Sequence, residues 1–172
     1  MSTEISKKDF ARLVQLHAPQ VLDFTARLLS DCREAEEVAQ DAFVKAYGQL
    51  SSFRGESSFL TWVQRIAYHE AIDHLRRRRP FTTDISNVAA MTDEPDLSTG
   101  REERITLLEE AVDELPPDEQ LLLHLYYYED RPLRDIAYIM DVEPNALATR
   151  LHRIRKKLLR MIKQKENEEA DR

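Results

Sequence analysis

Apolar residues recur three and four positions apart along most of the chain, and no stretch alternates with a period of two. This spacing predicts helices. Before Arg79 it predicts three or four of them: one that begins at Phe10 and is broken by Pro19, one over residues 21–29, one that starts after Asp31, and one from about Ser58. The third helix is expected to bury Ala35, Val38, Ala39, Ala42, Phe43, Ala46 and Tyr47.

The helical pattern stops at about residue 81 and resumes at Arg104. The residues between are polar and acidic, which predicts a flexible linker and a domain boundary. After it, an apolar stripe is formed by Ile105, Leu108, Ala111, Val112 and Leu115. Pro116 and Pro117 interrupt the chain before a helix that buries Leu121, Leu122, Leu125 and Tyr126.

The expected fold is therefore all-α, with two small helical domains joined by a flexible linker. The N-terminal domain covers residues 1–80, the linker 81–103 and the C-terminal four-helix domain 104–165, and a charged tail follows at 166–172.

A helix-turn-helix is predicted at the end of the C-terminal domain. Pro132 suits the first position of a short helix that buries Leu133, Ile136, Ala137 and Met140. Asp141 tolerates the left-handed conformation that ends a helix. Val142 is expected to fill the space between the two helices, and Pro144 restarts the chain as a helix.

The helix that begins at Pro144 contains no acid as far as Lys165, although the formal net charge of the chain is −7. Leu147, Leu151, Ile154, Leu158 and Ile162 form an apolar stripe for the protein core. The opposite face carries Thr149, His152, Arg153, Lys156 and Arg160. Cations concentrated on one helix of an acidic protein indicate a polyanionic partner, and the second helix of a helix-turn-helix enters the DNA major groove.

The N-terminal domain has two surfaces of different chemistry. Glu37, Gln40, Asp41 and Val44 lie opposite the apolar stripe of their helix, near Glu34 and Glu36. This acidic face is either a solvated helix surface or a docking surface for a basic partner.

The last helix of the N-terminal domain interleaves aromatic and basic residues. The candidate contacts to single-stranded nucleic acid, in this helix and just before it, are Arg54, Phe59, Trp62, Arg65, His69, Arg76 and Arg77. Rings stack on bases while cations hold the phosphates. Phe59 and Trp62 are also expected to serve the core.

Composition limits the other possibilities. Cys32 is the single cysteine, which excludes an intramolecular disulfide and a thiolate metal site, and no segment is apolar enough to enter a membrane. We expect a cytoplasmic protein. The five histidines are dispersed, and neither a phosphate-binding glycine loop nor a nucleophile motif is present. The sequence therefore predicts no enzyme activity, no metal and no cofactor.

The chain from about Phe10 to Lys157 resembles the bacterial RNA polymerase sigma factors of the extracytoplasmic-function group. E-A-E-E-V-A-Q-D-A-F-V-K-A-Y resembles the family's helix that binds core polymerase. F-R-G-E-S-S-F-L-T-W-V-Q-R-I-A-Y-H-E-A-I-D-H-L-R-R-R-R resembles its promoter-melting segment. L-P-P-D-E-Q-L-L-L-H-L-Y-Y-Y-E-D and T-R-L-H-R-I-R-K-K-L resemble its C-terminal domain.

The resemblance implies a non-catalytic protein whose partners are core RNA polymerase, promoter DNA as duplex and melted strand, and an anti-sigma factor. Glu37, Gln40 and Asp41 match positions that contact the large clamp-side subunit of the polymerase. His69 and Asp73 match positions near the extruded base of the downstream element. The upstream element would be read by Asn145, Ala148, Thr149, His152, Arg153 and Lys156.

The chain departs from the family pattern in three places. His69 stands where members often have Asn, Asp141 where Gly is common, and Asn145-Ala146-Leu147-Ala148 where Gly-Thr-Val-Lys or Gly-Thr-Val-Arg is usual. The alternative function is a helix-turn-helix regulator that binds duplex DNA without polymerase.

Overall fold

The computed structural model describes residues 5–78 and 100–170, with side chains as far as 168. These residues form α-helices and short helical turns without strands, which confirms the all-α prediction for the described part. The helices are α1 (Lys7–Leu28), α2 (Cys32–Gly48), α3 (Phe59–Arg78), α4 (Arg101–Asp113), α5 (Pro117–Leu123), α6 (Leu133–Met140) and α7 (Pro144–Ala170). A 3-10 turn spans Leu50–Ser52, and a π-helical turn, His124–Tyr128, continues α5.

Helices α1, α2 and α3 pack on one another, while α7 packs on α4, α5 and α6. Side-chain caps fix where the first helices begin. The Asp31 carboxylate accepts from the backbone N–H groups of Arg33 and Glu34, and the Ser58 hydroxyl accepts from the N–H of Thr61. The predicted start after Asp31 is confirmed.

The predicted break at Pro19 is wrong, because α1 runs through it without interruption. A proline inside a helix costs about 3 kcal/mol through a lost hydrogen bond and a ring clash. Phe10 before it and Val21, Phe24 and Leu28 after it lie on one buried stripe, each facing the core. Several large apolar side chains at about 1.5–3 kcal/mol each outweigh the cost of the proline.

Tertiary packing also changes which apolar residues are buried. On α4 the buried side chains are Leu107 and Ala111, and Leu115 is buried just after the helix, whereas Ile105 and Leu108 of the predicted stripe are exposed. The sequence of α4 has apolar residues on two sides of the helix. The side that packs against α7 is the buried one. Tyr47 is also exposed, although its ring makes an edge-type contact with the ring of Phe10 at 5.3 Å between centroids.

The helix-turn-helix forms over α6 and α7, but Val142 does not fill the space between them. Asp141 adopts the left-handed conformation, with φ 56°. The N–H of Val142 then donates to the carbonyl of Ala137 at 3.0 Å, the bond of a Schellman helix ending, and its side chain is exposed. Pro132 precedes the helix as its cap and is not its first residue.

The linker prediction lies largely outside the described residues. Its last part is helical, because α4 begins at Arg101 after the Gly100 cap, whose N–H donates to the Glu103 carboxylate. The predicted tail from residue 166 is helical as far as Ala170.

The two halves contact each other through α3 with α6 and through α1 with α5. Buried side chains of both halves belong to one continuous cluster. The described residues therefore form one packed unit in which the helix-turn-helix lies beside α3.

Candidate nucleic-acid interface

The outward face of α7 holds the residues that the sequence predicts for DNA contact. Its apolar stripe is buried at Leu147, Leu151, Ile154, Leu158 and Ile162. Asn145, Ala148, Thr149, His152 and Arg153 are exposed and Lys156 is half-buried. The Thr149 hydroxyl donates to the Asn145 carbonyl at 3.0 Å. Within the described part of the chain, the side chains of His152 and Arg153 make no hydrogen bond or ion pair, so they are available to a ligand.

The cations on the flanks of α7 hold the helix in place instead. Arg150 forms an ion pair with Asp118, and Lys157 one with Glu119 at 3.2 Å. Burial opposes the charged form of Arg150, but the carboxylate of Asp118 outweighs it and raises the pKa of the guanidinium. Arg155 lies 5.5 Å from the ring centre of Tyr127 and donates to its hydroxyl. These contacts fix the angle at which α7 presents its outward face.

The acidic face of α2 consists of Glu37, Gln40, Asp41 and Val44, all exposed on one side of the helix. Val44 is 70% exposed and gives this otherwise polar face one apolar side chain. Glu34 does not belong to this face. Its carboxylate turns toward the end of α3, where it pairs with Arg78 and lies 3.3 Å from the Nε2 of His74.

Two of the aromatic candidates on α3 belong to the core. Phe59 and Trp62 are each 7% exposed. Their rings contact each other at 6.0 Å between centroids, and Phe53 approaches Trp62 at 4.9 Å. Because these faces are covered by neighbouring rings, both side chains serve the core in this arrangement, and their contact with promoter DNA stays a prediction.

The exposed candidates in this region are charged. Arg54, Asp73, Arg76 and Arg77 are exposed, with Asp73 3.7 Å from Arg76. Gly55, with φ 72°, makes the turn that presents Arg54 ahead of α3.

Arg65 and His69 contact the helix-turn-helix. One nitrogen of the Arg65 guanidinium donates to the Tyr138 carbonyl and another to the Asp141 carboxylate, both at 2.6 Å. The same guanidinium lies 4.7 Å from the ring centre of Tyr138. His69 Nε2 is 3.5 Å from Asp141, and its Nδ1 donates to the Arg65 carbonyl at 2.7 Å. The hydrogen bond from Arg65 and its charge lower the pKa of Asp141.

Arg131 is a residue of this region that the sequence analysis missed. It donates to Thr61 Oγ1 at 3.1 Å and to Gln64 Oε1 at 2.7 Å. Both acceptors are 2% exposed, on the buried side of α3. Buried polar side chains need hydrogen-bond partners. The presence of Thr61 and Gln64 among apolar neighbours was therefore the feature of the sequence that indicated a polar partner for α3.

Tyr68 is a second missed contact between the halves. Burial raises the pKa of its hydroxyl, and the nearby Asp118 adds to this effect, while a hydrogen bond from Arg150 opposes it. The N-terminal end of α7 is thereby joined to α3.

A largely apolar cleft of about 1140 Å³ lies where the end of α1 meets the C-terminal half. Its walls include Leu29, Leu108, Leu123, Tyr127 and Leu159. Among the described residues, no cluster of three or more potential metal ligands is present, and none of the described helices could cross a membrane.

Comparison with known proteins shows which family the chain is similar to. The Sigma-70 region 2 family matches residues 13–81, and the Sigma-70, region 4 family matches residues 105–158. The chain is 33% identical to the RNA polymerase sigma-H factor of Pseudomonas aeruginosa, over 87% of this chain and 83% of that protein. It is 32% identical to the ECF RNA polymerase sigma-E factor of Haemophilus influenzae, over 87% and 85%.

A solved structure has a similar fold. The sigma factor RpoE of Bartonella quintana, in complex with the anti-sigma factor NepR, aligns with a TM-score of 0.63 and 23% identity, over 91% of this chain and 98% of that one.

Proposed function

The chain belongs to the bacterial RNA polymerase sigma factors of the extracytoplasmic-function group, and we propose how its described surfaces divide the work. As a member, it binds core RNA polymerase and directs promoter-specific transcription initiation. This assignment removes the ground for a regulator that acts without polymerase, because a Sigma-70 region 2 domain has no role in such a protein.

The outward face of α7 reads the upstream promoter element. The observation that carries this proposal is the exposure of His152 and Arg153 without protein partners, opposite a fully buried apolar stripe. Thr149 and Arg153 take a larger share of base reading than in relatives with a cation at position 148, because Ala148 has no hydrogen-bonding side chain. Lys156, further along the helix, contacts the DNA backbone.

The N-terminal half acts on the downstream element. Arg54, Arg76 and Arg77 are exposed cations that can hold the phosphates of a melted strand. His69 and Asp73 lie one turn apart on α3 and supply polar edges for an unstacked base. Phe59 and Trp62 support this surface from the core.

The acidic face of α2 is the surface that binds core polymerase. Glu37 and Asp41 make no ion pair with any described residue, so their charge is available to a basic partner. Val44 adds an exposed apolar contact at the C-terminal end of the face.

An anti-sigma factor is a further partner. Its binding site is the cleft between the end of α1 and the C-terminal half, where apolar walls suit the apolar side of an amphipathic segment. The protein works without a catalytic site of its own and in the cytoplasm, where the polymerase transcribes.

The test is reconstituted transcription with core polymerase on genomic DNA, followed by mapping of start sites. We expect starts at a defined set of promoters that share an upstream element. Transcription that does not depend on the added chain would contradict the proposal.

Charge reversal tests the polymerase surface. Glu37→Arg with Asp41→Arg should weaken binding to core polymerase by about tenfold or more, which corresponds to about 1.4 kcal/mol or more of binding free energy. The reason is that two exposed carboxylates are replaced by cations, which repel a basic partner surface. Glu102→Arg with Glu109→Arg is the matched control, since both acids are exposed on α4, away from the acidic face of α2. Affinity and circular dichroism are measured for both. Equal affinity of the two double variants would exclude the α2 face as the dock.

A further inference from the structure

Thr149 lies at the centre of the outward face of α7. With about 3.6 residues per turn, it is about 180° around the helix from the middle of the buried apolar stripe, which runs from Leu147 to Ile162. The cations Arg150 and Lys157, on the flank of the helix, are paired with carboxylates of α5. Thr149 therefore occupies the position of α7 that faces a ligand most directly, and it is exposed.

A hydrogen bond to its own helix orients the Thr149 side chain. The hydroxyl donates to the carbonyl of Asn145, one turn earlier, at 3.0 Å. This bond selects one of the two rotamers that threonine adopts in a helix, and it engages the hydroxyl hydrogen. Because the two substituents of Cβ have fixed relative directions, the direction of the γ-methyl group is fixed as well. Toward a ligand, Thr149 thus offers a methyl group and an oxygen that can only accept a hydrogen bond.

The neighbours of Thr149 leave room for a close approach to DNA. Asn145 and Ala148, toward the start of α7, are short and exposed. The longer exposed side chains, His152 and Arg153, follow about one turn later. A methyl group gains dispersion energy only in contact, at about 3.5–4.0 Å between carbon atoms. The short side chains permit this distance between the Thr149 methyl group and the edge of a base, while Arg153 is long enough to reach a neighbouring base pair.

The chemistry of the major groove identifies the group that Thr149 would contact. Among the four bases, only thymine presents a methyl group in the groove, and the methyl group of threonine is one of its usual protein contacts. A guanine presents acceptors there, which need a donor, and the hydroxyl hydrogen of Thr149 is already engaged.

We propose that Thr149 is a specificity-determining residue whose γ-methyl group reads the C5-methyl group of a thymine, on either strand, at one position of the upstream promoter element. The inference rests on the proposed function, because it deepens the assignment of the outward face of α7 to that element. Arg153 reads by hydrogen bonds, whereas Thr149 reads by apolar contact, so the two residues select different features of the sequence.

The test removes single methyl groups from the DNA. The probe is a duplex that carries the upstream element mapped in the transcription experiment, and the protein is the holoenzyme formed by the full chain and core polymerase. Each thymine of the element is replaced in turn by deoxyuridine, which keeps every hydrogen-bonding group of thymidine and lacks only the methyl group. We expect about fourfold weaker binding at one position, which corresponds to about 0.8 kcal/mol. Equal binding at every position, or an upstream element without a thymine, would overturn the proposal.

Two substitutions divide the threonine side chain between its two groups. Thr149→Ser keeps the hydroxyl and removes the γ-methyl group, whereas Thr149→Val removes the hydroxyl and keeps that methyl group. We expect Thr149→Ser to bind the thymidine and deoxyuridine duplexes equally at the sensitive position, and Thr149→Val to retain the difference. Retention of the difference by Thr149→Ser, or its loss in Thr149→Val, would overturn the proposal.

This readout is independent of any change in the fold. Each comparison uses one variant and two duplexes that differ by a single methyl group, so a general change in stability or in DNA affinity affects both duplexes by the same factor. Only a contact between the two methyl groups makes the effect of deoxyuridine depend on residue 149.

A duplex with a scrambled upstream element separates the proposed function from the role of Thr149. The parent holoenzyme should bind the mapped element more tightly than the scrambled one. Equal binding of these two duplexes would contradict the reading of the upstream element by α7, and the inference would fail with it. Tighter binding of the mapped element, with no effect of deoxyuridine at any position, would overturn the role of Thr149 alone.

Discussion

Arg153 and Lys156 lie one turn apart on α7, yet their positions predict different roles. Arg153 is exposed near the N-terminal part of the helix, which enters the groove, whereas Lys156 is half-buried and further along. An arginine that makes two hydrogen bonds to a guanine contributes about 1–3 kcal/mol of discrimination. A lysine at a phosphate contributes affinity that depends on salt and not on sequence.

We therefore expect Arg153→Ala to relax specificity at one upstream position. Lys156→Ala should weaken binding to every promoter by a similar factor and reduce the salt slope by about 0.9. Holoenzyme binding to single-base variants of the upstream element, at several salt concentrations, measures both effects. A uniform loss across all variants for Arg153→Ala would make Arg153 a phosphate contact and refute its role as a reader.

At the scale of elements, α1 shows how packing overrides a local preference. Pro19 leaves the carbonyl of Gln15 without its intrahelical donor, and the helix continues because its apolar stripe is buried on both sides of the proline. The folded state still bears the free-energy cost of the proline, so a substitution that removes Pro19 should increase the stability of the protein.

Pro19→Ala should raise the free energy of unfolding by about 1–2 kcal/mol. The restored hydrogen bond and the relieved ring contact outweigh the greater chain entropy that alanine gives the unfolded state. Denaturant unfolding measures the change, with Gln15→Ala as the control on the same exposed helix face. A stability equal to or below that of the parent would show that α1 is adapted to a kink at this position.

At the scale of the whole molecule, His124 lies where the two halves meet. Its ring stacks on Tyr128 at 5.1 Å, and Nε2 is 3.4 Å from Glu129. Burial and the nearby Arg27 of α1 lower its pKa, against the opposite effect of Glu129 and Asp23. The folded state thus holds its proton less tightly than the unfolded state does.

Since the folded pKa is the lower one, acidification favours unfolding. The contribution of His124 is fully present above the ordinary histidine pKa of about 6.5 and is lost as pH falls through that value toward the folded pKa. The stability of the parent chain should therefore decrease more between pH 7.5 and 5.5 than that of His124→Gln. Thermal unfolding at each pH gives the comparison, with His152→Gln on the exposed face of α7 as the control. Identical pH dependence of the parent and His124→Gln would contradict the assignment.

The sequence by itself determined the features that depend on neighbours a few positions apart. Spacing of three and four residues predicted the helices. Asp31 predicted the start of α2, and Asp141 with Pro144 predicted the turn before α7. The buried and outward faces of α7 followed from the same periodicity. These are local properties, because a helix places residues i, i+3 and i+4 on one side whatever lies beyond it.

Tertiary structure alone decided the features that join distant parts of the chain. The continuity of α1 through Pro19 and the burial of Leu107 in place of Leu108 depend on which helix packs against each face. The pairing of Arg65 with Asp141 spans 76 residues, and no periodicity in the sequence encodes such a contact. Charge and helical spacing show which side chains can bind DNA, whereas the packing of the two halves determines which of them are available to do so.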